Sequence, residues 1–287
     1  MNKLREKLNS SEFIITAELY PPKGTNLTKT LQKADLIGPL VDGINITDNQ
    51  RATMRLGSLA VCRLLKEKGY EPIMQMTCRD RNRIALQSDL LSASVLGIEN
   101  ILILSGDHPT ISEYRSAKAV YDLDPVQLLS VARTLETGVD MAGKKLNGAP
   151  SFCLGAVVNP TATPLDMQLL MLEKKMNAGA QFFQTQTIFD IAQYRAFHEQ
   201  VKHLPVKILP GVALLKSLAF VDFMKALPGV HIPDNVVQRM ATAKDQLQEG
   251  IQICAETIEQ LKEFADGVHV MAIGMEEHIP EILRRVR

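Results

Sequence analysis

A single (βα)8 barrel, the TIM-barrel form of the α/β class, is the fold that this sequence predicts over residues 1–287. Short β-type runs alternate with helical stretches from end to end, which is typical of parallel βα units. No low-complexity linker interrupts the alternation, and 287 residues is an ordinary length for one such barrel. These observations favour a closed barrel over a doubly wound sheet.

Eight runs are predicted as strands because each is short, rich in β-branched or apolar residues, and followed by a helical pattern. They begin near Phe13, Asp42, Glu71, Asn100, Ser151, Ala180, Val206 and Gly267. Helical patterns between them include 54–68, 84–96, 164–177 and 236–264. Extra helices are expected in two long connections, 107–150 after strand four and 218–266 after strand seven. Loops after barrel strands lie on the catalytic face, so the first connection is expected to shape the site.

Composition narrows the function classes. Apolar residues make up 46% of the chain, and 32 Lys and Arg balance 32 Asp and Glu, which excludes disorder and disfavours binding to nucleic acid. The four cysteines lie far apart and have no histidine at ligand spacing, so neither a metal site nor a disulfide framework is expected. No apolar run approaches the roughly 20 residues of a membrane span, and we expect a cytoplasmic protein.

Polar side chains are predicted at one end of the barrel lumen. Side chains alternate between the two faces of a strand, so the residues between helix-facing apolar positions point inward. Five predicted strands carry polar residues at inward positions near their carboxyl ends. These residues are Thr16, Glu18, Asn45, Thr47, Gln75, Thr77, Ser105, Asp107, Gln184 and Gln186.

Two inward carboxylates, Glu18 and Asp107, need an explanation because lower lumen positions are usually apolar. Each could form a structural ion pair with an arginine of the segment 79–83. Alternatively, they could be a divided acid and base. The apolar stretch after Glu18 favours a neutral carboxyl, whereas the glycine-containing polar turn at Asp107 favours an anion.

Several motifs at the predicted strand ends resemble those of the methylenetetrahydrofolate reductase family of flavin-dependent (βα)8 barrels. Any one motif is weak, but their order along the chain is specific. The motifs are AELYPPKG (17–24), NITD (45–48), MTCRDRNR (76–83), LGIENILILSGDHP (96–109), EKKMNAGAQFFQTQTIFD (173–190) and LPGV (209–212). VYDLDPVQLL (120–129) and LGAVVNP (154–160) look like short bacterial members that often work beside a second subunit.

The resemblance implies roles for particular residues. Glu18 matches the general acid that assists opening of the folate methylene bridge, Asp107 the carboxylate beside the flavin, and Gln186 a residue that hydrogen-bonds the pterin. Four further residues match flavin-contact positions: Thr47, Tyr121, Lys175 and Ala180. The implied reaction transfers a hydride from reduced flavin to methylenetetrahydrofolate and yields methyltetrahydrofolate.

The chain departs from the family pattern at three places. Gln75 stands where many members have histidine, and Ser105 stands where they have the arginine that precedes Gly106 and Asp107. Both positions contact the flavin in the family, as Gly106 and Asp107 also do, and the two departures leave FAD and FMN both open. Leu218 occupies a family position for an aromatic residue that stacks on nicotinamide or folate. The reductant therefore stays open among NADH, NADPH and a partner electron carrier, as does assembly into a homo-oligomer.

Two other function classes remain open from the sequence. The first is a flavin-free pterin-binding barrel that transfers a methyl group from methyltetrahydrofolate to a corrinoid. The second is a docking subunit of an electron-transfer complex without turnover of its own. The visible spectrum of the purified protein and its reactivity with methylenetetrahydrofolate distinguish these classes.

Overall fold

Eight strands close into a barrel in chain order, and each neighbouring pair is parallel. The computed structural model describes residues 3–227 and 229–286. The strands are β1 (Ile14–Leu19), β2 (Gly43–Ile46), β3 (Pro72–Thr77), β4 (Asn100–Leu104), β5 (Cys153–Val158), β6 (Phe182–Thr187), β7 (Lys207–Ala213) and β8 (Gly267–Met271). The predicted (βα)8 barrel is confirmed, and each strand begins within two residues of its expected start.

One helix precedes β1, and the others follow the strands and form the outer layer. They are α1 (Lys3–Leu8), α2 (Thr28–Ile37), α3 (Ser58–Glu67), α4 (Arg83–Val95), α5 (Pro125–Glu136), α6 (Leu165–Asn177), α7 (Ile191–Val201), α8 (Leu218–Lys225), α9 (Asp234–Thr242), α10 (Gln246–Lys262) and α11 (Ile279–Arg285). The single helical span predicted at 236–264 was wrong. Ala243 is extended there, and the Asp245 carboxylate caps a new helix by accepting from the Gln248 amide.

Apolar side chains of the strands pack beneath the helices, as alternation requires. Ile44 and Ile46 of β2 and Met74 and Met76 of β3 are buried in one large cluster with Leu65 of α3. Burial of each such side chain contributes about 1.5–3 kcal/mol. The intervening residues of the same strands are thereby directed into the lumen.

The amino-terminal end of the lumen is plugged by α1, which the sequence patterns did not predict. Leu4 and Leu8 of this helix pack against Ile14, Phe182 and Leu209 inside the barrel. This apolar layer closes the bottom of the lumen, so polar chemistry is confined to the carboxyl ends of the strands.

The two long connections carry the extra helices that were expected. Helix α5 lies between β4 and β5, and α8, α9 and α10 lie between β7 and β8. Asp124 and Gln127 form a capping box that fixes the start of α5. Among the described residues, no helix combines the length and the apolar character needed to cross a bilayer.

Candidate active site at the carboxyl ends of the strands

A buried hydrogen-bond network crosses the lumen. Asn45 Nδ2 donates to Gln184 Oε1 at 2.7 Å, and Gln184 Nε2 donates to Asn45 Oδ1 and to Thr16 Oγ1, each at 3.1 Å. Thr16 Oγ1 lies 3.0 Å from His269 Nδ1. Buried polar groups are costly unless paired, so this network fixes the orientation of each member. It forms the floor of the site.

Glu18 lies above this floor. Its side chain is 13% exposed, its Oε2 accepts from Gln75 Nε2 at 3.1 Å, and its Oε2 is 3.8 Å from His269 Nε2. Tyr20 hydrogen-bonds to the same carboxylate, and burial together with the charge of Glu18 raises the pKa of Tyr20 well above its usual value. Tyr20 therefore stays protonated and remains a donor. Three polar neighbours hold one acid at the mouth.

Asp107 lies just after β4 and is exposed. Its Oδ2 accepts from the backbone N–H of Arg51, in the loop after β2, at 3.0 Å. Gly106 has a φ of +82°, which a glycine adopts without strain, and its carbonyl accepts from the Tyr121 hydroxyl at 3.0 Å. The Asp107 carboxylate is thus held by the Arg51 amide, and the turn that carries it is held by the Tyr121 hydroxyl.

The arginines of segment 79–83 pair with carboxylates other than Glu18 and Asp107. Arg79 touches Asp107 only through the Asp107 backbone carbonyl, at 3.2 Å. The ion pairs of this segment are Arg79 with Asp80, Arg81 with Asp48 and Asp89, and Arg83 with Asp122. The ion-pair alternative with these three arginines is therefore not realised, and the divided acid and base stays a prediction.

The residues expected at the flavin differ in their burial and in their distance along the chain from the strand ends. Thr47 is buried after β2 and donates to Gln50 Oε1, whereas Ser105 is exposed after β4. Lys175, in the last turn of α6, donates to the Val157 carbonyl at 2.7 Å. Burial lowers the pKa of Lys175, because desolvation disfavours its charged form. Val157 is the penultimate residue of β5, so the ammonium reaches toward the carboxyl end of that strand.

Ala180 is not brought to the mouth. It precedes β6 at the amino-terminal end of the barrel, where it lines a cavity of about 720 Å³ together with Arg5 and Leu8 of α1. Two cations of this cavity already pair with carboxylates, Arg133 with Glu136 and Lys207 with Asp266. The apolar plug separates this cavity from Glu18, so we leave Ala180 out of the site.

Gln186 and Leu218 sit in local structures that alternation did not predict. A bulge in β6 between Gln184 and Thr187 interrupts the two-residue period, and Gln186 Oε1 accepts from the Thr187 amide at 3.0 Å. Leu218 begins α8 and packs into an apolar cluster with Val221. The strand-end location of Gln186 is retained, but its direction is set by the bulge.

An aromatic surface on α8 was missed by the sequence reasoning. Phe220 and Phe223 stack with their ring centroids 5.5 Å apart, and the Arg51 guanidinium lies 5.2 Å from the centroid of Phe223. The backbone of Arg51 contacts Asp107, so these rings lie beside the mouth. Phe220 and Phe223 follow Leu218 by two and five residues, and no sequence pattern at this spacing indicated that they lie at the site.

His269 was also missed, although a signal was available. Val268 and Val270 face the helices, so alternation along β8 directs His269 into the lumen. The side chain is 3% exposed and lies between Thr16 and Glu18. The same period-two rule that selected Glu18 would have selected this residue.

Comparisons with known proteins bear on the family and the fold of this chain. The family model for methylenetetrahydrofolate reductase matches residues 3–287. A 5,10-methylenetetrahydrofolate reductase of Salmonella typhimurium is 25% identical over 240 residues, which cover 80% of this chain and 76% of that protein. A probable methylenetetrahydrofolate reductase (NADPH) of Caenorhabditis elegans is 24% identical over 75% of this chain, which spans only 32% of that protein. Methylenetetrahydrofolate reductase 2 of Schizosaccharomyces pombe is 22% identical over 98% of this chain, which spans 46% of the length of that protein.

Solved structures share the barrel. A Clostridium thermocellum protein, described as binding two copies of 5-methyl-5,6,7,8-tetrahydrofolic acid, superposes with a TM-score of 0.72 and 18% identity, covering 99% of this chain and 97% of its own. An oxaloacetate acetylhydrolase superposes with a TM-score of 0.54 and 13% identity. At these identities the likeness concerns the fold alone. The match of the family model over nearly the whole sequence shows that the chain belongs to the methylenetetrahydrofolate reductase family.

Proposed function

We propose that this protein is a flavin-dependent methylenetetrahydrofolate reductase, which reduces the methylene bridge of its folate substrate to a methyl group. The observation that carries the proposal is Glu18, a nearly buried acid held by Gln75 and Tyr20 at the same barrel mouth as the exposed carboxylate Asp107. The names of the relatives and the folate bound by the Clostridium protein support this substrate class.

Glu18 acts as the general acid in this proposal. It donates a proton to the amine nitrogen that departs as the methylene bridge opens to an iminium. His269 Nε2 lies 3.8 Å from the carboxylate, which is long for a hydrogen bond, and such contacts tighten when substrate binds. With Thr16 on its other nitrogen, His269 holds Glu18 from below.

Asp107 and Gln186 act on the substrate in different ways. The Asp107 carboxylate provides negative charge beside the cationic iminium, which lowers the free energy of the charged species. Its bond from the Arg51 amide keeps it in place without neutralising it. Gln186 offers a carboxamide at the end of β6 for the donors and acceptors of the pterin ring.

The mouth residues fit a flavin by their chemistry. Thr47, Gln75 and Ser105 bring neutral hydroxyl and amide groups, which match the alternating donors and acceptors of the flavin pyrimidine edge. Gly106, with its positive φ, permits close approach to the backbone, and Tyr121 braces it. Lys175 reaches the end of β5 from the helix layer. A bound flavin, FAD or FMN, supplies the hydride.

The electron donor is a nicotinamide cofactor or a partner electron carrier. Leu218 offers no ring for stacking, but Phe223 lies beside Arg51 at the mouth and provides a planar apolar surface. We place the reaction in the cytoplasm, where the free and buried cysteine thiols fit a reducing environment.

The test is a folate half-reaction followed through the visible spectrum. The purified protein is incubated with FAD or FMN, reduced with dithionite without oxygen, and mixed with methylenetetrahydrofolate in a stopped-flow instrument. Glu18→Gln should slow flavin reoxidation by about 10²-fold or more while folate binding is retained, because a general acid is lost. The exposed Glu12→Gln is the matched control and should react at the wild-type rate.

Four results would contradict the proposal or the role that it gives to Glu18. A protein that binds neither flavin is not this enzyme, and demethylation of methyltetrahydrofolate with added cobalamin would assign it to the methyltransferase class. A reduced flavin that never reacts with folate would indicate a docking subunit. An unchanged rate in Glu18→Gln would remove that residue from the mechanism. Separate mixing with NADH, NADPH and candidate carrier proteins identifies the donor.

A further inference from the structure

Arg79 is a buried cation that the proposed chemistry does not use. It follows β3, and its side chain is 1% exposed even though Asp80 beside it is 37% exposed. Nε and Nη2 donate to the two oxygens of the Asp80 carboxylate, each at 2.7 Å. This bidentate pair fixes the plane of the guanidinium.

The remaining donors of Arg79 reach two other loops. Nη1 donates to the Asp107 carbonyl at 3.2 Å, and Nη2 donates to the Asn49 carbonyl at 3.0 Å. The Arg79 carbonyl accepts from the Val120 amide at 2.7 Å. One residue therefore joins the loops after β2, β3 and β4, together with the segment that leads to α5.

The joined loops have an unusual backbone. Five non-glycine residues have a positive φ in the described ranges, and four of them lie in segments that Arg79 contacts: Asn49, Arg51, Ala52 and Tyr121. Side chains disfavour this conformation, which persists only where surrounding contacts impose it. The Arg79 bonds supply such contacts. A Cβ added to Gly106 would also lie 3.1 Å from Arg79 Nη1, so the guanidinium packs closely against this turn.

We propose that Arg79 is a positioning residue for the Asp107 carboxylate. It holds the Asp107 peptide directly, and it holds the Asn49 peptide, which sets the Arg51 amide that donates to Asp107 Oδ2 at 3.0 Å. The donor and the acceptor of the hydrogen bond between the Arg51 amide and Asp107 Oδ2 thus both depend on the Arg79 guanidinium. Lysine cannot replace it, because one ammonium cannot bridge a carboxylate and two carbonyls in a plane.

Hydrogen exchange tests this clamp without reference to catalysis. In Arg79→Lys, peptides covering 49–52 and 106–121 should exchange at least about 10-fold faster than in the wild type, while the rest of the barrel is unchanged. Arg195→Lys is the matched control, because Arg195 is an exposed arginine of α7 that pairs with Glu263 and contacts none of these loops. It should leave both peptides protected.

A kinetic cycle tests the consequence for Asp107 and rests on the proposed function. When Asp107 is present, Arg79→Lys should slow the folate half-reaction about 10-fold or more. When Asp107 has already been replaced by Asn, the same change should slow it by less than about 2-fold. A merely structural role would slow both backgrounds equally. If Arg79→Lys does not fold, Asp80→Asn, which frees the guanidinium, replaces it in both assays.

The two assays separate failure of the clamp from failure of the proposed function. Wild-type exchange in both peptides overturns the proposal, whatever the kinetics. Faster exchange with equal slowing in both backgrounds also overturns it, because the loops then do not act through Asp107. Faster exchange in a protein with no folate turnover supports the clamp and contradicts only the proposed reaction.

Discussion

The hydrogen bonds between Asn45 and Gln184 allow a stability prediction with a magnitude. Gln184→Met keeps the length of the side chain but removes both bonds to Asn45 and the bond to Thr16. Both carboxamide atoms of Asn45 then lose their partners in a fully buried position. Each orphaned group costs about 1–3 kcal/mol, and burial of the methionine offsets part of this, so we expect a loss of roughly 3 kcal/mol.

The double variant isolates the pair. Asn45→Leu should cost less, about 2 kcal/mol, because it leaves only Gln184 Oε1 without a partner while Gln184 Nε2 keeps its bond to Thr16 Oγ1. Replacing both residues removes the unpaired groups together, so the double variant should be about 2 kcal/mol more stable than the sum of the single losses predicts.

Urea unfolding followed by circular dichroism measures these free energies of unfolding. Gln200→Met on α7 is the matched control, because Gln200 is exposed and should shift stability by less than about 0.5 kcal/mol. Additivity of the two single losses to within about 0.5 kcal/mol would refute the paired network. A loss below about 1 kcal/mol for Gln184→Met would refute the burial cost.

Three further predictions follow from other contacts. Gly155→Ala should lose about 1–3 kcal/mol in the same assay, because the added Cβ would lie 2.3 Å from the Phe182 ring, while Gly24→Ala, where nothing lies within 4 Å, should be nearly neutral. His198 has a pKa lowered from 6.5 by burial, so its neutral form stabilises the fold above pH 6.5 and this contribution is lost as pH falls through the lowered pKa. His198→Gln should therefore flatten the pH dependence of the urea midpoint below 6.5, and an unchanged slope would contradict this. Asp107→Asn should slow the folate half-reaction by roughly 10–100-fold in stopped-flow mixing, whereas an effect on flavin affinity alone would make Asp107 structural.

The barrel was predictable because its signals are local. A buried parallel strand needs a short apolar run, a following helix needs its own periodicity, and both are visible within a window of a few residues. The plug α1 was not predictable in this way. Six residues gain little as an isolated helix, and Leu4 and Leu8 are stabilised only by the closed lumen that they enter.

The candidate site was predictable wherever the two-residue period holds. Alternation directed Glu18 and Gln75 to one mouth, and their side chains meet there. It did not predict the bulge at Gln186, because a bulge depends on pairing with a neighbouring strand. The family resemblance named Ala180 as a flavin contact, but residues matched by sequence alone can lie at either end of a strand.

The sequence by itself determined the order of the eight strands, the inward polar positions wherever the two-residue period holds and, through its motifs, the family to which the chain belongs. Only the tertiary structure decided which arginine pairs with which carboxylate, that His269 stands behind Glu18, and that Arg79 joins loops from three strands. The physical reason is the separation along the chain of the residues that interact. Periodicity reflects neighbours along the chain, whereas a hydrogen bond between residues 49 and 79 exists only after the barrel has closed and brought their loops together.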